Sequence, residues 1–483
     1  MDKYKRLVSN TILTAVNQFS SRVLTLLMAA YYMRRMTQEE YGTITAVQTI
    51  GTFLLPLVLL GIQNAVVRFG LQKGVSRKKV YTNGLLALGL GYACLLVLWP
   101  LLNLVPFISN TVKHYSVLLL AFLLTSCFNT LNCQFTRAQQ NLRLYAIDGI
   151  LNSALTLGFT VLFIGSASPL RIVPDGLLLA IICGDYCSAV FLMAVQKLWR
   201  YIDFKHIDWK LFKEMLRFSL PLISASVFWS LTNSSDQIFV VNILGESANG
   251  ILSACYKVPT LLNIVATLFT EAWQISAFTD GTRAGREEFF TRVFGIYQSI
   301  LFMAASGIVW LCEWLMLILG GADFAEAWVY IPMFTFATVF SSLSNFLNSV
   351  YMTEKRSGLS LVTMSVGAVM NLVLNGLLIP VWGIQGAAFA TFVSYFAVFV
   401  LRAVNTRGLL RIRFPVVRMA LNLAILTVES VLQVTSGGEA WLWTTLLTAL
   451  MLAVNFRSLW ATAQRLLGRR RRPARPPRAG KTG

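Results

Sequence analysis

About fourteen strongly apolar stretches, each of roughly 20 residues, follow one another along this chain of 483 residues. A helix of that length crosses the hydrocarbon core of a bilayer, which is about 30 Å thick. Because a bilayer core offers no water to the backbone, only helices and closed barrels span it, and apolar runs of this length indicate helices. The sequence therefore predicts an all-α polytopic membrane protein with no room for a soluble domain of ordinary size.

The predicted spans divide the chain into segments. They cover residues 7–33, 43–67, 80–104, 115–135, 144–166, 176–199, 218–244, 251–278, 294–319, 331–352, 359–380, 386–404, 414–434 and 441–460. The longest inside connection, 200–217, mixes aromatic and basic residues and is typical of an interfacial amphipathic helix on anionic lipid. It separates a six-helix lobe at 1–199 from a second at 218–408, followed by two additional transmembrane helices at 409–464 and a disordered basic tail at 465–483.

Charge sets the orientation and excludes several functions. Only 13% of the residues are charged, which excludes ordinary soluble architecture, and the net charge of +20 comes from Lys and Arg between the apolar stretches rather than from a nucleic-acid-binding patch. Most of these cations fall on one side, which predicts cytoplasmic N- and C-termini in the cell (plasma or inner) membrane. The seven cysteines and two histidines form no metal or disulfide pattern, and no nucleotide-binding loop or other enzyme signature appears. We therefore expect no cofactor and no enzymatic activity.

Short matches between the two halves suggest an internal repeat. Acidic turns at 37–42 and 245–250 each end in glycine, and Asn152 in span five corresponds to Asn371 in span eleven. Gly176 and Ala180, which open span six, correspond to Gly386 and Ala390, which open span twelve. Two six-helix lobes related by an axis along the membrane normal are typical of parallel-repeat transporters.

A few charged side chains fall at membrane depth, where each costs about 2.5–3.5 kcal/mol on insertion scales. Arg22 lies in span one, Asp236 in span seven and Lys257 in span eight. The two cations fit either a structural ion pair with Asp236 or Glu271, or a cationic lining for an anionic substrate, and we favour the lining because one cation falls in each lobe. Asp236 has polar neighbours that fit an ion or proton site. For Asp148 and Asp185 the sequence favours packing or capping roles.

Longer motifs in a regular order connect the chain with a known family. The second half has the segments 218–223 (FSLPLI), 233–238 (NSSDQI), 250–259 (GILSACYKVP), 371–375 (NLVLN) and 383–391 (GIQGAAFAT), and the first half has 39–42 (EEYG) and 60–68 (LGIQNAVVR). In order and spacing these motifs resemble the Wzx-type polysaccharide and O-antigen flippases of the multidrug/oligosaccharidyl-lipid/polysaccharide (MOP) exporter superfamily. The resemblance extends to about residue 413 and does not cover spans thirteen and fourteen.

The resemblance implies both a fold and a function. The fold is a V-shaped, MATE-like pair of lobes that works by alternating access. The function is to move a polyprenyl-pyrophosphate-linked oligosaccharide from the inner to the outer leaflet for cell-surface polysaccharide synthesis, with coupling to an ion or to the membrane potential. Besides membrane lipids, the implied partners are a polysaccharide polymerase and glycosyltransferases. Since pyrophosphate is anionic, Arg22, Arg68 and Lys257 are the predicted substrate-binding residues, and Asp236 is the predicted ion-coupling residue.

Three alternatives differ in substrate or class. A lipid II flippase would use the same pyrophosphate chemistry. A multidrug or organic-cation exporter on the same fold is disfavoured because Arg22 would repel a cationic drug. A scaffold that recruits glycosyltransferases without transporting anything would have no use for Arg22 and Lys257 at membrane depth.

Overall fold

The fold is known from a computed structural model that describes residues 23–72, 74–102, 113–165, 172–277, 283–354 and 356–469. Every regular element in these ranges is helical. Eleven helices are long and apolar enough to cross a membrane, and Val23–Met33 and Trp441–Phe456 are shorter apolar helices. The predicted all-α polytopic membrane fold is therefore confirmed.

The helices follow the predicted spans closely. In chain order they are α1 (Val23–Met33), α2 (Gln38–Val58), α3 (Ile62–Gly70), α4 (Arg77–Leu102), α5 (Ser116–Ala138), α6 (Leu142–Ile164), α7 (Gly176–Gln196), α8 (Trp209–Leu244), α9 (Glu246–Cys255), α10 (Thr260–Ala277), α11 (Arg283–Gly320), α12 (Ile331–Thr353), α13 (Ser357–Trp382), α14 (Ile384–Thr406), α15 (Val416–Ser436) and α16 (Trp441–Arg469).

Within the residues that the structure describes, two of the predicted spans are broken into two helices each. Span two divides into α2 and α3 at residues 59–61, where Leu60 and Gly61 adopt φ angles of 49° and 62°. Span eight divides into α9 and α10 at residues 256–259, where Pro259 has no N–H to continue the ladder. A break at membrane depth is tolerated where the freed backbone lies against protein or a wet cavity, and such breaks mark binding sites in transporters.

The connection between the predicted lobes differs from expectation. Its first part forms two short 3₁₀ turns, Leu198–Tyr201 and Phe204–His206, and its second part is the beginning of α8 rather than a separate interfacial helix. The Asp208 side chain starts α8 by accepting the Leu211 N–H at 3.1 Å, and it also accepts a bond from Lys79 Nζ at 3.0 Å. Both bonds favour the charged carboxylate and so hold the pKa of Asp208 below its usual range, with the larger effect from the Leu211 N–H. Because no glycine or proline lies between Trp209 and Phe218, the amphipathic turns continue directly into span seven.

Tertiary contacts divide the chain into two compact units. One contains Met1–Ala272 and Cys312–Leu409, and the other contains Trp273–Leu311 and Leu410–Gly483. The division into lobes at 1–199 and 218–408 remains a prediction, since both lobes fall largely in the first unit. The two additional helices at 409–464 fall in the second.

Polar side chains join the last two helices to the first part of α11 inside the second unit. Glu429 on α15 is fully buried, and its two carboxylate oxygens accept bonds from Ser306 Oγ at 2.6 Å and Thr448 Oγ1 at 2.8 Å. Asn422 and Asn455 exchange amide bonds at 3.1 and 2.9 Å. Lipid tails are as apolar as leucine side chains, so hydrogen bonds between helices help to fix which helices pack together in a membrane. These bonds therefore hold α15 and α16 against the first part of α11.

The two acidic turns that the sequence matched as repeats bring α2 and α9 into close contact. A Cβ on Gly42 would lie 1.8 Å from the Glu246 carbonyl oxygen, and a Cβ on Gly250 would lie 2.0 Å from that of Gln38. Asn249 Nδ2 donates to the Gly42 carbonyl at 2.7 Å. Only glycine at both positions allows this crossing, which joins the beginnings of spans two and eight.

Candidate functional site

A buried carboxylate lies at the centre of a polar cluster formed by three helices and the break in span eight. Asp236 on α8 is 1% exposed. Its Oδ1 accepts bonds from Asn375 Nδ2 at 2.5 Å and Asn371 Nδ2 at 3.3 Å, both on α13. Its Oδ2 accepts bonds from Thr391 Oγ1 on α14 at 2.5 Å and from the hydroxyl of Tyr256, which follows α9. We call Asp236 and these four partners the Asp236 cluster.

The Asp236 cluster is rich in oxygen and contains no charge besides its carboxylate. Ser235 Oγ donates to Asn371 Oδ1 at 2.5 Å and accepts from Asn375 Nδ2 at 3.3 Å. The Oδ1 atom of Asn375 is buried and has no hydrogen-bond partner among the described residues. Carboxylate, amide and hydroxyl oxygens are the ligands that hard cations prefer, and an unpartnered acceptor leaves room for one more interaction. The arrangement fits a proton or a hard monovalent cation at Asp236.

A cavity of about 120 Å³ adjoins Asp236. A single water needs roughly 10–15 Å³ on this scale, so the cavity has room for several waters. Its polar lining includes Tyr256, Thr260, Asn263, Thr338, Ser341 and Tyr395. Asp236 is therefore next to space that a hydrated ion can occupy.

Lys257 lies in the break of span eight, directly after Tyr256. Its backbone N–H donates to the Ala254 carbonyl at 3.0 Å, and its carbonyl accepts a bond from Thr260 Oγ1 at 2.5 Å. Its side chain is partly exposed, and the described partners of Asp236 are all neutral. Tyr256 therefore connects the two charged residues: its hydroxyl bonds Asp236, and Lys257 follows it in the chain. Lys257 and Asp236 do not form the salt bridge that the ion-pair alternative required.

Arg68 is not part of the Asp236 cluster. It lies near the end of α3, is exposed, and places its guanidinium 4.3 Å from the centre of the Phe218 ring on α8. Phe218 and Asp236 are eighteen residues apart on α8, which corresponds to about 27 Å along the helix. Arg22, the remaining predicted substrate-binding residue, lies outside the residues that the structure describes.

Two acidic residues inside the spans of the first half, Asp148 and Asp185, have hydrogen-bond partners that sequence reasoning missed. Asp185 on α7 accepts bonds from Asn152 Nδ2 at 3.0 Å, from Asn129 Nδ2 at 3.3 Å and from the Ser126 hydroxyl. Asp148 on α6 is 1% exposed and accepts a bond from Ser188 Oγ at 2.7 Å. Both lie inside helices and cap neither of them. Asn129 and Asn152, two polar residues within apolar spans, were the sequence signal that could have predicted these partners of Asp185.

Arg402 on α14 is buried, although it lies near the end of predicted span twelve, where a cation usually faces water. Its side chain is 2% exposed and donates to Thr363 Oγ1 at 3.0 Å and to the Ser344 carbonyl at 2.9 Å. Among the described residues it forms no salt bridge. Arg402 thus joins α12, α13 and α14 through neutral oxygens.

Comparison with known proteins identifies the family. A family model described as "Polysaccharide biosynthesis protein" matches residues 7–274, more than half of the 483 residues. The chain belongs to this polysaccharide biosynthesis family. The sequence matches no curated protein significantly.

Solved structures of the MOP superfamily share the fold. A structure of the lipid II flippase MurJ in an inward closed conformation matches with a TM-score of 0.73 at 14% identity, and the match covers 94% of this chain and 100% of the MurJ chain. An inward-facing MATE family multidrug resistance transporter of the MOP superfamily matches with a TM-score of 0.66 at 13% identity, and covers 80% of this chain and 95% of its own. An outward-facing MATE structure matches with a TM-score of 0.54 at 15% identity, and covers 83% and 96%. At these identities the likeness establishes the fold of this family member and nothing further.

Proposed function

We propose that this protein is a flippase that moves a polyprenyl-pyrophosphate-linked oligosaccharide from the inner to the outer leaflet for cell-surface polysaccharide synthesis. The observation that carries the proposal is the buried Asp236 cluster beside a break in span eight that contains Lys257. A charged group next to a broken helix and a cavity is typical of a transport site. Membership of a polysaccharide biosynthesis family supports a saccharide precursor as the substrate class.

The pyrophosphate is the part of the substrate that the proposed cations recognise. Arg22, Arg68 and Lys257 provide positive charge in spans one, two and eight, and their charges attract phosphate oxygens through charge-assisted hydrogen bonds. Arg68, exposed at the end of α3, suits first contact with the headgroup, whereas Lys257 lies in the break. The oligosaccharide and the polyprenyl chain bring their own contacts, which these residues do not specify.

Ion coupling at Asp236 is the second part of the proposal. A proton or monovalent cation that binds the carboxylate neutralises it and changes the hydrogen bonds that hold α8, α13, α14 and the break together. Such a change gives the lobes two arrangements with different ion occupancy, as alternating access requires. The protein then needs neither a cofactor nor a catalytic residue, and acts with glycosyltransferases and a polysaccharide polymerase in the plasma or inner membrane.

A labelled polyprenyl-pyrophosphate oligosaccharide in proteoliposomes tests both parts. Charge-assisted hydrogen bonds contribute about 1.5–3 kcal/mol, so we expect Lys257→Ala and Arg22→Ala each to lower flipping about 10- to 100-fold. Lys205→Ala, which removes an exposed lysine from the connection before α8, is the matched control and should flip normally.

The same assay tests ion coupling: Asp236→Asn should flip at a rate that no longer responds to an imposed proton or sodium gradient. Full activity of the Arg22→Ala/Lys257→Ala double variant would remove the cationic site.

Lipid II is the second candidate substrate. Its polyprenyl-pyrophosphate is the same group that the proposed cations recognise, and the MurJ structure is matched over its whole length. The same assay with a labelled peptidoglycan precursor in place of the oligosaccharide decides between them. Transport of the precursor alone would favour lipid II.

A further inference from the structure

We propose that Tyr256 is the positioning residue through which a monovalent metal cation at Asp236 controls the position of Lys257. The inference rests on the proposed function and adds the route by which the ion site and the substrate site affect each other. Tyr256 touches both: its hydroxyl donates to Asp236 Oδ2, and its backbone is bonded directly to Lys257.

The hydroxyl of Tyr256 occupies a position that a cation would need. Asp236 Oδ2 accepts bonds from Tyr256 and Thr391, and Oδ1 accepts bonds from Asn371 and Asn375. A metal cation repels donor hydrogens and attracts oxygen lone pairs, so its arrival must turn the Tyr256 O–H away from the carboxylate. The cavity lined by Tyr256 and Asp236 provides space for this movement and for the hydration shell of the ion.

The backbone that follows Tyr256 is held by hydrogen bonds of the 3₁₀ type. The N–H groups of Lys257, Leu261 and Leu262 donate to carbonyl oxygens only three residues earlier, at 3.0 Å each. Bonds of this 3₁₀ type have poorer geometry than the α-helical ladder and occur at hinges. The break at residues 256–259 is therefore the part of span eight that can move without disrupting α9 or α10.

The ring of Tyr256 fixes the direction of any movement. Its centroid lies 4.5 Å from that of Phe334 on α12, so the ring is packed on one side while the hydroxyl end faces Asp236. Release of the hydroxyl lets the ring slide along Phe334, and the backbone of the break follows. Because Lys257 is the next residue, its ammonium then changes position relative to the substrate.

This linkage predicts an effect on substrate affinity in both directions. If a cation at Asp236 changes the affinity for a pyrophosphate by some factor, the pyrophosphate changes the affinity for the cation by the same factor. Couplings of this kind typically amount to roughly 5- to 150-fold. Without the Tyr256 hydroxyl the two sites should bind independently.

The test measures the Kd of farnesyl pyrophosphate for the purified full-length protein in NaCl and in choline chloride at one pH. We expect the two Kd values of the wild type to differ by roughly 5-fold or more. In Tyr256→Phe, which keeps the ring against Phe334, the ratio should fall below about 2-fold. The matched control is Tyr92→Phe, which removes a tyrosine hydroxyl that donates to the Leu120 carbonyl outside the cavity lining and should keep the wild-type ratio. A thermal unfolding scan checks that each variant is folded.

Each outcome decides one part. A wild-type Kd that is the same in both salts, or a Tyr256→Phe variant that keeps the wild-type ratio, overturns the role of Tyr256 and leaves the flippase proposal intact. A Tyr92→Phe variant that loses the ratio also overturns it, since loss of a hydroxyl outside the cavity would then have the same effect. Failure of the wild type to bind farnesyl pyrophosphate in either salt contradicts the proposed substrate instead. An Asp236→Asn variant that still responds to Na⁺ contradicts the proposed ion site.

Discussion

Amide side chains surround an acid in each half of the chain, but the acid comes from a different helix each time. Asn371 on α13 and its predicted counterpart Asn152 on α6 both donate to a carboxylate, Asp236 on α8 and Asp185 on α7 respectively. Counted from the matched residues Gly176 and Gly386, the position of Asp185 corresponds to Tyr395, which lines the cavity beside Asp236. At the positions matched by the predicted repeat, both halves thus have a polar cluster, but its carboxylate comes from a different helix in each half.

The contact of Arg68 with Phe218 competes with any substrate that Arg68 binds. Its guanidinium lies over the Phe218 ring at 4.3 Å, and cation–π contacts at exposed sites contribute about 0.5–1 kcal/mol. If Arg68 leaves this ring to bind pyrophosphate, the contact competes with the substrate. We therefore predict that Phe218→Leu lowers the substrate concentration for half-maximal flipping by about 2- to 5-fold.

The double variant decides whether this effect passes through Arg68. Arg68→Ala should raise the half-maximal concentration, and Phe218→Leu should then have no further effect in the Arg68→Ala background. An equal effect of Phe218→Leu with and without Arg68 would mean that the ring acts on the substrate by another route. Flipping rates in proteoliposomes over a range of substrate concentrations provide the measurement.

At the scale of helices, breaks and crossings matter more than the helices themselves. Both broken spans lie in contact with the other predicted lobe: α2 crosses α9 at Gly42 and Gly250, and a Cβ on Gly61, at the break before α3, would lie 2.9 Å from Ile223 Cγ1 on α8. Movement of one predicted lobe against the other must open or close these contacts. The glycines set how closely the helices approach when they are closed.

Substitution of the crossing glycines tests their role in transport. Gly42→Ala and Gly250→Ala would each place a methyl group within 2.0 Å of a backbone oxygen. The crossing must then separate, and we expect flipping to fall at least tenfold, while a cysteine at Ser253, beside the crossing, becomes accessible to a water-soluble thiol reagent applied from outside. Gly89→Ala is the matched control, because a Cβ there meets no atom within 4 Å. Normal flipping by Gly42→Ala would show that the crossing does not close during transport.

At the scale of the whole molecule, cations define the predicted orientation. The basic residues concentrate in the connections that the positive-inside rule assigns to the cytoplasm, including the segment 68–79 and the tail from residue 465. The acidic turns that contain the glycine crossing then belong to the outer side. The alternation of spans gives every connection a side, so a few positions are enough to test the whole arrangement.

Cysteine accessibility provides this test. We expect Lys113→Cys to be labelled by an impermeant reagent from outside, and Thr482→Cys only after the membrane is made permeable. The background should lack Cys94, which is exposed, and Lys205→Cys serves as a second inside position. Labelling of Thr482→Cys in intact cells would reverse the topology and contradict the direction of the proposed transport.

Much of this fold is predictable from local sequence because each span must satisfy its own backbone within the bilayer. Apolar length alone therefore predicts a helix, and the structure confirms helices at every predicted span from the second to the fourteenth. Asp236 was identified as a candidate for a similar reason, since a charge in an apolar run costs free energy unless other groups bind it. The sequence did not show that the end of the 200–217 segment continues into α8, because no local signal distinguishes a helix that stops at Phe218 from one that continues.

What only the tertiary structure decided concerns side chains that are distant in sequence. The donors to Asp236 come from residues 256, 371, 375 and 391, and nothing local requires these positions to meet. Arg402 looks like an inside cation in the sequence, yet it is buried because α12 and α13 supply oxygens to it. By itself the sequence determined where the chain crosses the bilayer, since the solvent acts on each segment separately. Packing between helices decided which polar groups share a site, because a buried charge is stable only where other helices bring it partners.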